Sequence, residues 1–468
     1  MLQSEFASEF VLIADSRWIV MLIAGLLVAN ALLSTVPRSG ARVREFLVRA
    51  LRPLPLRILF IVVSVASAAG LLAIGSFLVL LLLDYFTGTL VVGLLLIGAV
   101  FAGLAVVLVA DAFSFKRPPA GLLLVPIILV SFFVAGTRVA LYAPTWAGGT
   151  EHTTVFARGD QPGRAYRIPA LVPLPGGEIV AFAESRANAF LDWGDIDIVV
   201  RRSADGGRTW GAIQTVADAG DRTAGNPCPV YDSSTGTLFL PYTIDNKNVL
   251  LVSSTDNGRS WSEPRDLTEE FGIGAEWNPH RFDYRYGTGP GVGIETTTGR
   301  LVVPAYEFGG TSHVIYSDDH GRTWQRGGSV EPGGEAQVAE LSSGTLLMTI
   351  RHDGGGERYF RLSEDGGTTW APLEVSDTVP DVGCMAAITA GDGVLYYSSP
   401  GADSRSRLTI RRSRDGGLSW ERMETVYTGP SAYSQVAVVG GDLLVLFEQG
   451  RIDYRESIQL AWIDLQPR

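Results

Sequence analysis

The chain has 468 residues, a formal net charge of −11 and 46% hydrophobic residues. This length is too great for one ordinary core, so we expect at least two structural units. The acidic balance argues against a basic phosphate-binding surface, and nucleic acid is not an expected partner. Two cysteines and five histidines without metal-ligand spacing predict no disulfide framework, no metal site and no other cofactor.

Four apolar segments in the first third of the chain are long enough to cross a bilayer, which takes about 20 residues. They run over residues 18–36, 58–83, 89–110 and 121–142. The sequence therefore predicts a helical membrane region with four spans over residues 1–145. The alternative is that the first segment is a cleavable signal peptide. The continuity of this segment with the other three disfavours that alternative.

Basic residues in the loops predict the orientation of these spans. Six arginines follow the first span (Arg38, Arg42, Arg44, Arg49, Arg52 and Arg57), and Lys116 and Arg117 follow the third. The positive-inside rule places both loops in the cytoplasm and both chain ends outside. We therefore expect a multi-pass protein of the cell membrane, in contact with lipid, whose residues 150–468 are extracellular. A main function in the membrane with the remainder as a sensor is less favoured, because the spans contain no paired carboxylates.

An octet with Ser, Asp, Gly and Trp at fixed positions recurs five times after residue 200. The copies begin at Ser203, Ser254, Ser317, Ser363 and Ser413 and end at Trp210, Trp261, Trp324, Trp370 and Trp420. Ser and Asp side chains bind nearby backbone groups, Gly accepts a positive φ, and Trp packs back on the turn, which is typical of a hairpin. Repeats of about 50 residues with several short strands are typical of propeller blades. The repeats therefore predict an all-β six-bladed β-propeller over residues 150–468, with one blade lacking the octet.

The octet is identified as the Asp box of the sialidase superfamily. The segment Tyr166-Arg-Ile-Pro169 matches that family's Arg-Ile-Pro signature, one blade ahead of the first box. The box also occurs in other propellers, so alone it indicates fold and not function. Together the motifs resemble bacterial and animal exo-sialidases over the whole soluble part. The resemblance implies hydrolysis of terminal α-linked sialic acids from glycoproteins, glycolipids and oligosaccharides.

Sialic acid has a carboxylate on its anomeric carbon, and planar, permanently charged arginines suit its recognition. The resemblance implies three such arginines: Arg167, Arg351 and Arg405, with Arg407 as the alternative for the third. Glu448 matches the acid that pairs with the first arginine. Further positions that match a substrate-binding role are Arg186, Asn226 and Tyr306.

The resemblance also implies the catalytic residues. Asp192 matches the general acid and base, with Asp195 as the neighbour that could be mistaken for it. Tyr433 matches a tyrosine nucleophile, which sialidases use to retain configuration. A phenol approaches the substrate carboxylate without charge but needs a base. Glu335 matches that base, and Glu340 is then interpreted as structural.

Two other functions remain as alternatives to hydrolysis. One is a glycan-binding propeller without catalysis, which the presence of all three catalytic residues disfavours. The other is transfer of sialic acid to a sugar acceptor, which would need an aromatic platform for that acceptor. Linkage preference and the type of sialic acid do not follow from the sequence.

Overall fold

The computed structural model describes residues 145–146, 150–273, 286–308, 310–401 and 404–465. By its internal contacts the chain divides into two units, Met1–Leu141 and Tyr142–Arg468. The predicted membrane spans and their basic loops lie outside the described residues and stay a prediction. Among the residues described, no helix has both the length and the apolar character needed to cross a membrane.

The described residues contain 25 strands and one short 3₁₀ helix, Pro175–Gly177. Neighbouring strands pair antiparallel in six groups, which we call blades 1 to 6. The first strand, β1 (Glu151–Ala157), belongs to the last blade. Blade 1 comprises β2 (Ala165–Pro173), β3 (Ile179–Arg186), β4 (Ile196–Ser203) and β5 (Gln214–Ala217). Blade 2 comprises β6 (Ala224–Gly225), β7 (Val230–Asp232), β8 (Thr237–Ile244), β9 (Asn248–Ser254) and β10 (Arg265–Asp266).

The remaining blades follow in chain order. Blade 3 comprises β11 (Tyr286–Thr288), β12 (Ile294–Glu295), β13 (Leu301–Glu307), β14 (Thr311–Ser317) and β15 (Gln325–Arg326). Blade 4 comprises β16 (Ala336–Glu340), β17 (Leu346–Ile350), β18 (Gly356–Ser363) and β19 (Glu374–Asp381). Blade 5 comprises β20 (Ala387–Gly391), β21 (Val394–Ser399), β22 (Ser406–Ser413) and the first part of β23 (Glu421–Val439). Blade 6 comprises the rest of β23, β24 (Asp442–Gln449), β25 (Ser457–Asp464) and β1.

The first and last strands of the described residues meet in blade 6. Strand β1 pairs with β25 from Glu151 opposite Trp462 to Ala157 opposite Ser457. The last blade is thus completed by the first strand, so the ring of blades is closed by backbone hydrogen bonds between distant parts of the chain. This all-β arrangement is consistent with the predicted six-bladed propeller.

The hydrophobic core lies between neighbouring blades. Each adjacent pair of blades shares a cluster of buried side chains, and blade 6 shares one with blade 1. In β3, Val180 and Phe182 pack against blade 2, whereas Ile179 and Ala181 pack against blade 6. Because such a strand is buried on both faces, its sequence is a continuous apolar run and not an alternating one.

The octets form the turns that follow β4, β9, β14, β18 and β22, each of which is the last strand but one of its blade. In the third copy the Gly321 N–H donates to Ser317 Oγ at 2.8 Å, and Ser317 Oγ donates to Asp319 Oδ1 at 2.9 Å. Gly321 has a φ of 77°, which glycine adopts without strain. Trp324 Nε1 closes the turn by donating to Gly321 O at 3.1 Å. Blade 6 has no such turn, because its strands β25 and β1 lie at opposite ends of the domain.

The antiparallel order separates two edges of the blades. The octets occupy one edge. Loops that join the second strand of a blade to the third lie at the opposite edge, together with the starts of the first strands. We call this the loop edge.

Replacing Ser317 by alanine is expected to lower the free energy of unfolding by about 1–3 kcal/mol, because the buried Gly321 N–H loses its acceptor. The urea midpoint of the full-length protein, followed by tryptophan fluorescence, measures the change. The control is Ser342→Ala, at an exposed position, which should leave the midpoint unchanged. Equal midpoints for both variants would show that the octet bond contributes nothing to stability.

Candidate active site

Arg167 is fixed near the start of β2 by a buried carboxylate from blade 6. Its Nε and Nη2 donate to the two oxygens of Glu448 at 3.0 and 3.1 Å, a bidentate geometry that sets the plane of the guanidinium. The Ile168 N–H also donates to Glu448, at 2.9 Å. Ile168 has a φ of 58°, which costs about 1–3 kcal/mol for such a residue. The register of β2 against β3 shifts between Arg167 and Ala170, as expected for an irregularity next to a functional site.

Arg351 and Arg405 reach the same place from blades 4 and 5. Arg351 follows β17 and pairs with Glu335 at 2.6 Å and with Asp353 at 2.9 Å. Arg405 precedes β22 and donates to Gly383 O at 2.7 Å. Its guanidinium carbon lies 5.6 Å from the centre of the Tyr433 ring. Of the two arginines proposed for the third position, the structure brings Arg405 to the other two, whereas Arg407 is exposed.

Tyr433 lies in β23, at the centre of these side chains, and is 5% exposed. Its hydroxyl donates to Glu335, whose oxygens lie at 2.5 and 2.8 Å. Arg351 Nη1 donates to the same hydroxyl at 2.9 Å. Arg167 lies 5.1 Å from the ring centre, so Tyr433 contacts all three arginines.

The charges around Tyr433 keep its phenol protonated. Burial raises the pKa of Tyr433, and the negative charge of Glu335 raises it further. The guanidinium groups of Arg351 and Arg405 lower it, but the pKa stays well above its usual value. The hydroxyl is therefore a neutral donor, and among the described residues Glu335 is the base that can accept its proton.

Asp192 lies in the loop between β3 and β4, with a side chain that is 69% exposed. Its carboxylate accepts from Arg186 at 2.6 Å and pairs with Arg167 at 3.5 Å. Desolvation raises the pKa of Asp192, but the charges of Arg186 and Arg167 outweigh it and the pKa falls below its usual value. Asp195, the neighbour that could be mistaken for it, pairs with Arg164 at 2.6 Å.

Arg186 lies behind Asp192 and is 2% exposed. Its Nε donates to Glu184 at 2.8 Å, and its Nη1 donates to Leu191 O at 3.0 Å. The structure thus places Arg186 as a support for the loop that contains Asp192. Glu184 also accepts from the Asn226 N–H at 2.8 Å, which brings blade 2 to the same edge.

Tyr306 extends the loop edge into blade 3. It is 6% exposed and lies at the end of β13. Burial raises the pKa of Tyr306, and the nearby charge of Glu335 adds to the effect. Glu340, interpreted as structural, accepts from Thr297 Oγ1 at 2.8 Å. Its role is to hold a turn of blade 3.

Tyr454 belongs to the site but was not predicted. Its hydroxyl accepts from Arg405 Nη1 at 3.3 Å, and its ring centre lies 5.4 Å from the Arg167 guanidinium carbon. It lies in the loop between β24 and β25, which corresponds in blade 6 to the loop of Asp192 in blade 1. Counting strands within the repeat would have indicated this loop, although no motif marks the residue.

The assembled site offers three cations for a carboxylate, an exposed carboxyl group, and a buried phenol beside a base. Within the described part of the chain, no His, Cys, Asp and Glu side chains group in a way that could hold a metal ion. The arrangement suits recognition of an anionic sugar and nucleophilic substitution at a carbon next to its carboxylate.

The chain is similar to known proteins in sequence and in fold. The model of the BNR repeat-like domain family matches residues 177–445, which is more than half of the chain. Human Sialidase-4 is 34% identical over 282 residues, covering 51% of this chain and 57% of that protein. A sialidase of Micromonospora viridifaciens is 34% identical over 289 residues, covering 53% of this chain and 44% of that protein. The chain thus spans about half the length of these curated relatives.

A solved structure, the Hadza microbial sialidase Hz136, superposes with a TM-score of 0.60 at 27% identity. The superposition covers 67% of this chain and 68% of that one. The blades, the octets and the matched relatives lead to one conclusion. The chain belongs to the sialidase family with a BNR repeat-like domain.

Proposed function

We propose that this chain is an exo-α-sialidase that hydrolyses terminal α-linked sialic acids with retention, through a tyrosyl intermediate. The observation that supports this most directly is the Tyr433–Glu335 pair, 2.5 Å apart, in contact with Arg351. A neutral nucleophile with its own base is what a substrate with a carboxylate at the reacting carbon requires.

In the first step, the substrate carboxylate binds the three arginines and presents its anomeric carbon to Tyr433. The Tyr433 proton passes to Glu335 as the phenolic oxygen bonds to that carbon. The bond from the anomeric carbon to the leaving oxygen breaks, and Asp192 protonates that oxygen. Arg351, which already donates to the Tyr433 hydroxyl at 2.9 Å, stabilises negative charge as the proton leaves.

In the second step, a water molecule takes the place of the leaving group, while the sialic acid stays bonded to Tyr433. Asp192, now ionised, accepts a proton from this water as the water oxygen attacks the anomeric carbon. The bond to Tyr433 breaks, and Glu335 returns the proton to the phenolic oxygen. Two displacements at one carbon retain the configuration.

Substrate binding prepares Asp192 for its role as an acid. In the free site its carboxylate pairs with Arg186 and Arg167, and these charges hold its pKa low. A substrate carboxylate on Arg167 neutralises part of this positive charge. The pKa of Asp192 then rises, so the proton needed by the leaving oxygen is taken up with the substrate.

Transfer of sialic acid to a sugar is the second candidate function. Trp193, next to Asp192, is 61% exposed, and an exposed ring beside the acid is suited to stack on a sugar acceptor. Incubation of a sialoside with excess lactose distinguishes the two functions. Sialylated lactose indicates transfer, and free sialic acid alone indicates hydrolysis.

We further propose, from the sequence alone, that the catalytic part faces the outside of the cell. Treatment of intact cells with protease is expected to release or degrade residues 150–468 while a cytoplasmic marker stays intact. Protection of these residues until the cells are lysed would contradict the extracellular location.

Tyr433→Phe is expected to lower kcat for a fluorogenic sialoside by about 10³-fold or more, because the nucleophilic oxygen is gone. The control is Tyr427→Phe, a buried tyrosine of the same strand whose hydroxyl donates to Gly450 O at 2.8 Å. It should keep the wild-type kcat. An inactive but folded wild type would refute the sialidase proposal, and an active Tyr433→Phe variant would refute the nucleophile alone.

Arg186→Gln is expected to move the high-pH limb of the kcat/KM profile to higher pH. Arg186 lowers the pKa of Asp192, and the acid works only when protonated, so a higher pKa extends activity upwards. The position of this limb does not depend on how much enzyme is active. The control, Arg164→Gln, removes the partner of Asp195 and should leave the limb in place. A limb that stays, or moves down, in Arg186→Gln contradicts the assignment of Asp192 as the acid.

A further inference from the structure

Another buried ion pair, besides Arg167–Glu448 and Arg186–Glu184, lies beneath the loop edge. Its two residues take no part in the proposed reaction. Arg358 of β18 and Asp381 at the end of β19 are 2.8 Å apart, and each side chain is only 1% exposed. Burying two charges costs several kcal/mol per ion, and apolar side chains of similar size would often give equal stability. The pair therefore calls for an explanation other than stability.

Asp381 joins two segments of backbone that belong to neighbouring blades. Its Oδ2 accepts from the His352 N–H at 2.9 Å. Its Oδ1 accepts from the N–H groups of Gly383 at 2.8 Å and Cys384 at 3.2 Å. The carboxylate thus connects the end of β17 with the segment that leads into β20.

Each of these two segments contacts or carries one of the three arginines of the site. His352 directly follows Arg351, so the Asp381 bond fixes the backbone from which the Arg351 side chain leaves. The carbonyl of Gly383 accepts from Arg405 Nη2 at 2.7 Å. One carboxylate therefore holds the backbone beside Arg351 and the segment whose carbonyl accepts from Arg405, without contacting either guanidinium group.

Arg358 holds Asp381 and the second segment in place. Its Nη1 donates to Asp381 and to Cys384 O, each at 2.8 Å. Its Nε donates to Thr349 Oγ1 at 2.8 Å, which ties the group to β17. The result is a set of hydrogen bonds from β17 through Arg358 and Asp381 to residues 383 and 384.

We propose that Arg358 and Asp381 are positioning residues that set the separation of Arg351 and Arg405 for binding of a substrate carboxylate. The proposal rests on the proposed sialidase function. Arg167 has its own support in Glu448, so loss of the pair disturbs two of the three arginines and leaves the first in place.

The test measures how strongly the site prefers an inhibitor with a carboxylate over one without it. This preference is a ratio of two inhibition constants, so protein that fails to fold does not affect it. The inhibition constants of the unsaturated sialic acid DANA and of its methyl ester are determined on the full-length protein, and their ratio is taken. In Asp381→Asn and Arg358→Gln the preference for the acid is expected to fall about tenfold or more, as for a small misplacement of binding groups. Arg358→Lys keeps the charge and should recover part of the preference.

The matched control is Arg361→Gln in the same strand. Arg361 is 7% exposed and donates to the backbone carbonyls of Ala371 and Glu331. Its loss should lower the melting temperature but leave the preference unchanged. A wild-type preference in Asp381→Asn would overturn the positioning role alone. A wild type that binds the acid no better than the ester would overturn the sialidase proposal itself.

Discussion

Glu448 holds the first and last blades together at the point where the chemistry is proposed. Its carboxylate has no exposed surface and accepts from Arg167, from the Ile168 N–H and from the Tyr433 N–H. One buried charge thus orients an arginine of blade 1 and the backbone of the tyrosine in blade 6. A buried carboxylate is tolerated only when hydrogen-bond donors satisfy it. Because the donors to Glu448 include Arg167 and the Tyr433 N–H, packing blade 6 against blade 1 also positions part of the site.

The electrostatics of the site follow from this assembly. Three guanidinium groups converge on Tyr433, and the only base in contact with its hydroxyl among the described residues is Glu335. The phenol stays neutral because burial and Glu335 raise its pKa more than Arg351 and Arg405 lower it. In the proposed reaction, the three arginines supply positive charge for the substrate carboxylate, and the nucleophile is an uncharged phenol, which a carboxylate nucleophile could not provide.

Support for the three arginines is of two kinds. Glu448 contacts Arg167 directly with both oxygens. Arg351 likewise pairs with Glu335 and Asp353. Asp381 adds support of the second kind, because its oxygens accept from backbone N–H groups beside Arg351 and beside the carbonyl that accepts from Arg405. The difference is a consequence of blade geometry and has no signature in the local sequence.

The sequence by itself determined the repeat, because each octet forms its turn through hydrogen bonds between residues at most four positions apart. It also indicated which residues to consider, since Arg167, Asp192, Glu335, Arg351 and Tyr433 each match a position of the family that the sequence resembles. Only the tertiary structure decided between Arg405 and Arg407, added Tyr454 and assigned Arg186 to the support of Asp192. The first two choices depend on contacts between side chains of different blades, and the third depends on the path of the loop that contains Asp192. The periodicity of the repeat contains no information about either.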